Sequence, residues 1–308
     1  MSAFALAADP GTPYDATWLP SDQMAGNVLV YNIYTSSLAN PTAENTRISI
    51  TNADDQNGVS VHFFFIDGSN CSVADSFVCL TPNQTMTFFA ADADPGVTGY
   101  IIAVATNANG VPRPAFGLEG GARLIGDEQV RFANGLSANL GAEALWGVPA
   151  AVNANGDLAA ELGLFLPRVL AISNQPSLAD GYDIRLIVNR ISGDMRVAAD
   201  SIGGIFGLTF DELENPYSWT SSAGCQLNRS LNNTTFPRTT PRLNSIIPAG
   251  SVGWTKFWST SGDRGILGAV LFGSTSPSNF TGGRNLHKLT FAGPQTLIVP
   301  VFPSNCGF

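Results

Sequence analysis

Charge is scarce in this chain, and lysine nearly missing. Only 13% of the 308 residues are charged, and the two lysines are Lys256 and Lys288. Soluble domains carry about 25% charged residues, so the usual means of wetting a surface and keeping strand edges apart is roughly halved. The net charge is −9, the wrong sign for a nucleic-acid backbone or an anionic membrane surface. The densest basic stretch holds only Arg229, Arg238 and Arg242, spread through a Thr/Pro/Asn-rich segment. Nucleic acid is therefore not an expected partner. No run approaches the ~20 apolar residues of a membrane-spanning helix, so the chain is not expected to be membrane-embedded. There is no CxxC pair, and only His62 and His287 could join the cysteines, which argues against zinc. A GxSxG elbow is also lacking, and the Gly120-Gly121 and Gly203-Gly204 pairs do not make a phosphate loop.

What is present reads as strand. Val28–Tyr34 is β-branched and aromatic, Thr46–Ile50 alternates cleanly, and Val59–Ile66 follows a turn closed by Asn57-Gly58, a strong hairpin signal. Thr85–Phe89 and Gly99–Ala105 continue the pattern, and five strands at this spacing predict an antiparallel sandwich. Ser137 can cap a short helix over Ala138–Trp146, ended by Gly147 and Pro149. Strand signals resume at Asp183–Arg190, Gly253–Phe257, Gly265–Phe272, Leu286–Phe291 and Thr296–Phe302. Pro300 pushes the last run toward an edge or bulge. Thr220–Pro248 reads as a long coil, either functional or held by Cys225. The expected fold is mainly β: two antiparallel, Ig-like or jelly-roll-like β-sandwich units with a short helix between them. The expected divisions are an extended, Pro-punctuated N-terminal arm over 1–25, a sandwich over 26–147 and a second β-rich domain over 148–308.

Four cysteines, Cys71, Cys79, Cys225 and Cys306, allow three pairings. The short spacing favours a Cys71–Cys79 loop and a Cys225–Cys306 tie, against the alternative of four buried thiols. Two disulfides imply an oxidising compartment. Ala3–Asp9, with Ala5-x-Ala7, resembles the tail of a secretory signal, without a charged n-region or a full apolar region. The expectation is a secreted, extracellular or cell-surface protein.

Four segments carry a resemblance. These are Phe64–Thr81, holding Asp67-Gly68-Ser69-Asn70-Cys71 and Val78-Cys79-Leu80-Thr81, together with Asp92–Tyr100, Leu124–Glu128 and Phe280–Leu289. The chain resembles a group of uncharacterised secreted bacterial proteins over most of its length. That likeness implies an extracellular bacterial origin and supplies no activity.

The carboxylates Asp127, Glu128, Glu143, Glu161, Asp211, Glu212 and Glu214 read as solvated loop acids, and no pair is placed for glycosidase work. No catalytic residue is assigned, and the chain is not expected to be an enzyme. His62, mid-strand among phenylalanines, reads as a satisfied sheet residue. Calcium is the one cofactor the residues would suit, with Asp92, Asp94, Asn153, Asn155 and Asp157 as weak oxygen donors on loops. Trp219, Trp254 and Trp258 form the expected stacking platform for a cell-surface glycan, which supports an adhesin or glycan-binding module. The leading expectation is instead a structural protein that assembles with copies of itself into a filament or surface layer. Poorly defended edges at Val28, Val30, Ile33, Leu297, Val299 and Val301, with the N-terminal arm, would carry that assembly.

Overall fold

A computed structural model describes residues 8–13, 19–115, 117–150, 158–274 and 280–307. The first half contains β1 (Val28–Thr35), β2 (Asn45–Asn52), β3 (Val59–Asp67), β4 (Val73–Leu80) and β5 (Thr85–Phe89). A single helical turn, α1 (Ala90–Ala93), precedes β6 (Thr98–Thr106), β7 (Leu124–Arg131), β8 (Ser137–Gly141), β9 (Glu143–Leu145) and β10 (Val148–Pro149). Next come β11 (Ala159–Leu164), β12 (Pro167–Pro176), β13 (Tyr182–Arg190), β14 (Gly193–Asp194), β15 (Ala198–Ala199), β16 (Gly203–Phe210), β17 (Pro216–Ala223) and β18 (Gln226–Ser230). The second turn of helix, α2 (Leu243–Ile246), leads to β19 (Val252–Ser259), β20 (Ile266–Ser274), β21 (Phe280–Asn285), β22 (His287–Phe291) and β23 (Gln295–Pro300).

The chain is mainly β, but the expectation of two β-sandwich units joined by a helix is overturned. The strands form five small sheets, ordered β4-β3-β6-β1-β9, β5-β2-β7-β8, β10-β11-β23-β14-β15, β17-β16-β19-β12-β22 and β18-β13-β20-β21. A sandwich unit has one core between two sheets. Here the β4-β3-β6-β1-β9 sheet is covered on both faces, so β1 is buried at every position. Leu29, Tyr31, Phe63 and Ile101 pack on Ile48 and Ile50 of β2. The opposite face, with Val28, Val30, Phe64 and Ile102, packs on Leu162, Leu164, Leu297 and Val299 from the second half. A further cluster joins Ile33, Val130 and Leu140 to Ile187, Ala269 and Leu271. The two halves therefore share buried apolar surface, at about 25 cal/mol per Å² removed from water, rather than resting as separate units.

The predicted helix fails for a readable reason. Ala138 and Leu140 are buried while Asn139 between them is exposed, a period of two over β8, and Glu143–Leu145 is buried at every position, so strand packing outweighs the helix propensity of the alanines. The segment is β8 and β9, and residues 151–157, just after the expected boundary at 147/148, lie outside the described residues. The predicted long coil is also structured, since Cys225, Leu231, Phe236, Leu243 and Ile246 are all buried and the last four belong to the second-half core.

The disulfide expectation is corrected too. Cys71 pairs with Cys225 and Cys79 with Cys306. The residues between Cys71 and Cys79 are not a loop but strand β4, aligned with β3 from Val73↔Ile66 to Leu80↔Val59. The strand from Val73 to Cys79 alone spans about 20 Å, far beyond the ~7 Å limit between Cα atoms of a disulfide.

One glycine has a defined structural duty. Gly207 on β16 faces Trp219 on β17, and an added Cβ would enter the indole ring. Gly207→Ala is expected to cost about 1–3 kcal/mol through overpacking, read as a lower urea midpoint at unchanged m-value. No change would mean that Trp219 has room to move.

Candidate functional site

The β5-β2-β7-β8 sheet has one buried and one open face. Its strands alternate: Ile48, Ile50, Val130, Ala138 and Leu140 point inward, while Arg47, Gln129, Arg131 and Asn139 are exposed. Register then places Phe89, Arg47, Gln129 and Asn139 side by side, one from each strand. The adjacent row holds Asn45, Arg131 and Ser137, and the row on the other side holds Thr87, Ser49 and Asp127. Strands about 4.8 Å apart make the first row about 14 Å long, and rows repeat about every 7 Å. Pro41 and Thr42 border these side chains to form a groove of about 670 Å³, within the usual range for small-ligand sites. Phe89 is 47% exposed at the edge strand, a large apolar ring on a face that also exposes Ile125 two rows away on β7. Ser137 Oγ lies 2.8 Å from Thr281 Oγ1, which ties the far side of the groove to the second half. The signal for this face was present in sequence as the polar members of the alternating strands. Sequence reasoning used the apolar members and passed over the others.

The predicted tryptophan platform is split by strand parity. Trp219 is 3% exposed and sits in the second-half core, with its Nε1 donating to Thr209 Oγ1 at 3.2 Å. It is corrected from surface to core. Trp254 and Trp258 lie on the opposite, outer face of the same sheet and are half-buried. Trp254 stacks on Phe210 at 4.4 Å, and Trp258 leans on Phe206 at 5.0 Å. Lys256 between them is held at 2.6 Å by Asp9 of the N-terminal segment. That segment continues along β22, with Thr12 and Phe291 exchanging backbone hydrogen bonds of 3.0 and 2.8 Å.

The predicted assembly edges are corrected as well. Val28, Val30 and Ile33 lie on β1 between β6 and β9, and Leu297 and Val299 lie on β23 between β11 and β14. These five are fully buried, and Val301 is 6% exposed. Poor charge defence is explained because these six side chains meet almost no solvent.

Two of the predicted loop acids are buried. Glu128 and Glu143 are 0% exposed. Glu128 Oε1 accepts the Ile33 N–H at 3.2 Å, and Glu143 meets the Lys288 ammonium at 2.5 Å. Burial raises the carboxyl of Glu128 well above its usual range, with the nearby Glu143 adding to the rise. Burial raises Glu143 as well, against the opposing pull of Lys288. Asn32 bonds Glu143 and Asn285, and Asn189 and Gln226 bond Asn32, so this polar cluster pins the halves together. Substrate cannot reach these acids. His62 stacks on Phe77 at 3.8 Å, with Nε2 2.8 Å from Asp75 Oδ2. Its desolvation lowers its pKa despite that partner.

Among the weak calcium donors, Asp94 accepts the Tyr34 hydroxyl at 2.6 Å and Asp92 is exposed on α1. Asn153, Asn155 and Asp157 lie outside the described residues. Among the described residues no cluster of three His, Cys, Asp or Glu is arranged to hold a metal ion, and no helix is long and apolar enough to cross a membrane.

No family model matches the chain, and no curated protein does. Among solved structures, a lectin from Pleurotus ostreatus in complex with GalNAc aligns over 90% of this chain and 84% of that one, at 11% identity. Its TM-score of 0.15 is too low to carry any conclusion about fold or function.

Proposed function

We propose that this protein is a secreted, non-catalytic glycan-binding module that recognises its ligand on the outer face of the β5-β2-β7-β8 sheet. The observation that carries the reading is the four-strand row Phe89, Arg47, Gln129 and Asn139 beside a 670 Å³ groove. A sugar ring offers an apolar C–H face and a rim of hydroxyls. Phe89 supplies a stacking ring, and Gln129 and Asn139 supply amides that both donate and accept. A flat sheet face fixes these groups without the ordering cost of loops. Two disulfides support an extracellular setting. Assembly through the formerly expected edges loses its basis because those strands are interior, and Asp9, Thr12 and Ser21 of the arm pair with their own chain.

The test is a glycan array with the full chain, followed by titration of each hit with Phe89→Ala and Gln129→Ala. Each substitution is expected to weaken binding at least about tenfold, corresponding to about 1.4 kcal/mol, at an unchanged melting temperature. Binding lost on Trp254→Ala but indifferent to Phe89→Ala would move the site to the other sheet. An array with no hits would sink the reading.

A further inference from the structure

We propose that the groove takes an acidic glycan, with Arg47 and Arg131 gripping uronate carboxylates. This rests on the reading of the face as a glycan site. In a chain of net charge −9, the lining of this groove contains two arginines and no aspartate or glutamate. Asp127 lies on the same sheet face one row farther on, opposite Ser49, and exposed Asp92 follows Phe89 on α1.

The chain's other cations are largely engaged. Lys256 meets Asp9 and Lys288 meets Glu143. Arg190 and Arg196 also hold carboxylates, those of Asp200 and Asp194. Arg47 and Arg131 are exposed and have no side-chain hydrogen bond or ion pair among the described residues. They occupy diagonal positions on neighbouring strands, since Arg47 pairs with Gln129 and Arg131 with Asn45. Diagonal neighbours in an antiparallel pair lie about 7–8 Å apart. Two guanidinium forks at that separation can grip one carboxylate from both sides or two on successive residues of a chain.

An unpaired surface arginine costs little, so two arginines in one groove are not by themselves selective. Selectivity comes from what surrounds them. The ring of Phe89 lies in the same row as Arg47, and the amides of Gln129 and Asn139 continue that row. The partner must therefore present a stackable ring, hydroxyls and a carboxylate within one or two residues. A uronic-acid polysaccharide meets all three requirements. Sulfate esters carry the same charge type and can also meet a guanidinium fork with two oxygens, so a sulfated glycan is the rival that the test must separate.

The probes are polygalacturonate, its fully methyl-esterified form and dextran sulfate, titrated calorimetrically into the oxidised 308-residue chain. Polygalacturonate is expected to bind at least tenfold more tightly than the ester, and its affinity should fall as salt rises. Arg47→Gln with Arg131→Gln should erase that preference at unchanged melting temperature. Equal binding of acid and ester, still lost with Phe89→Ala, would overturn the acidic preference and leave the glycan face standing. Preference for dextran sulfate alone would overturn the carboxylate assignment, as would acid binding untouched by the arginine substitutions. No binding to any probe, together with an array without hits, would overturn both readings.

Discussion

Replacing Cys71 and Cys225 by serine should lower the unfolding free energy by up to about 5 kcal/mol. The bond closes a separation of 154 residues, and the chain-entropy relation assigns about 5 kcal/mol to a loop of that length. The Cys79–Cys306 bond closes 227 residues, and the logarithm makes its expected contribution nearly the same, about 5 kcal/mol. The closed segments interleave, so each bond shortens the loop that the other closes, and the second removal should cost at least as much as the first. Guanidinium denaturation of the two double variants measures these effects. Non-reducing peptide mapping should recover the 71–225 and 79–306 links. A recovered 71–79 peptide would contradict the register of β3 with β4, because the strand would have to break to make it.

These bonds have a purpose beyond their entropy. Each end of β4 is fastened to the second half: Cys71 beside the start of β18, and Cys79 to the C-terminal segment. Backbone bonds reinforce the first attachment, since Gln226 N–H donates to Gly68 O at 3.2 Å and Ala199 N–H to Cys71 O at 3.1 Å. The β3–β4 hairpin is thus pinned across the junction between halves. The groove is lined by the first half and tied to the second by the Ser137–Thr281 hydrogen bond. A loss at the junction should therefore show up as weaker ligand binding as well as lower stability.

The strands were legible wherever β-branched residues ran together, as in Val28–Tyr34, Val59–Ile66 and Asp183–Arg190. The arrangement was not. A strand with all faces buried, such as β1, looks apolar throughout, and such a run reads equally as an undefended edge or as a strand buried on both sides. That ambiguity produced the false edges. The Ala138–Trp146 misreading arose because alanine has the highest helix propensity, yet small residues at alternate positions also suit a tightly packed strand face. Cys71–Cys79 failed because sequence distance was taken for spatial distance across a segment that is fully extended. The candidate face was hidden for the opposite reason: Arg47, Gln129, Arg131 and Asn139 are ordinary surface residues individually. Only the register of four strands from separate parts of the chain brings them into one groove.

Lys288→Met should be the most damaging single change at the junction, costing about 3–5 kcal/mol. That is the usual cost of breaking a buried ion pair and leaving one charge behind. Glu143 is completely buried, so without the ammonium its carboxyl must take up a proton or sit unpaired. Lys288 keeps 15% of its side chain exposed, so Glu143→Gln leaves a lysine that can reach water and should cost less. The double variant Glu143→Gln with Lys288→Met should recover part of the loss, since neither residue is then charged. The pH dependence separates this mechanism from a simple packing defect. Glu128 and Glu143 have raised pKa values in the folded chain, so the native state retains protons that the unfolded chain releases. Their contribution is fully present below the ordinary glutamate range, about pH 4.3, and is lost as pH rises through the folded values. Removing Lys288 takes away a charge that lowers the Glu143 pKa, so the fall should deepen and extend to higher pH. Urea midpoints at pH 5, 7 and 9 should therefore show Lys288→Met closest to wild type at pH 5 and farthest at pH 9. Glu128→Gln, which keeps an acceptor for the Ile33 N–H, should flatten the profile of the otherwise native chain. A loss from Lys288→Met that is the same at all three pH values would mean that packing of the lysine stem, not its charge, holds the halves together.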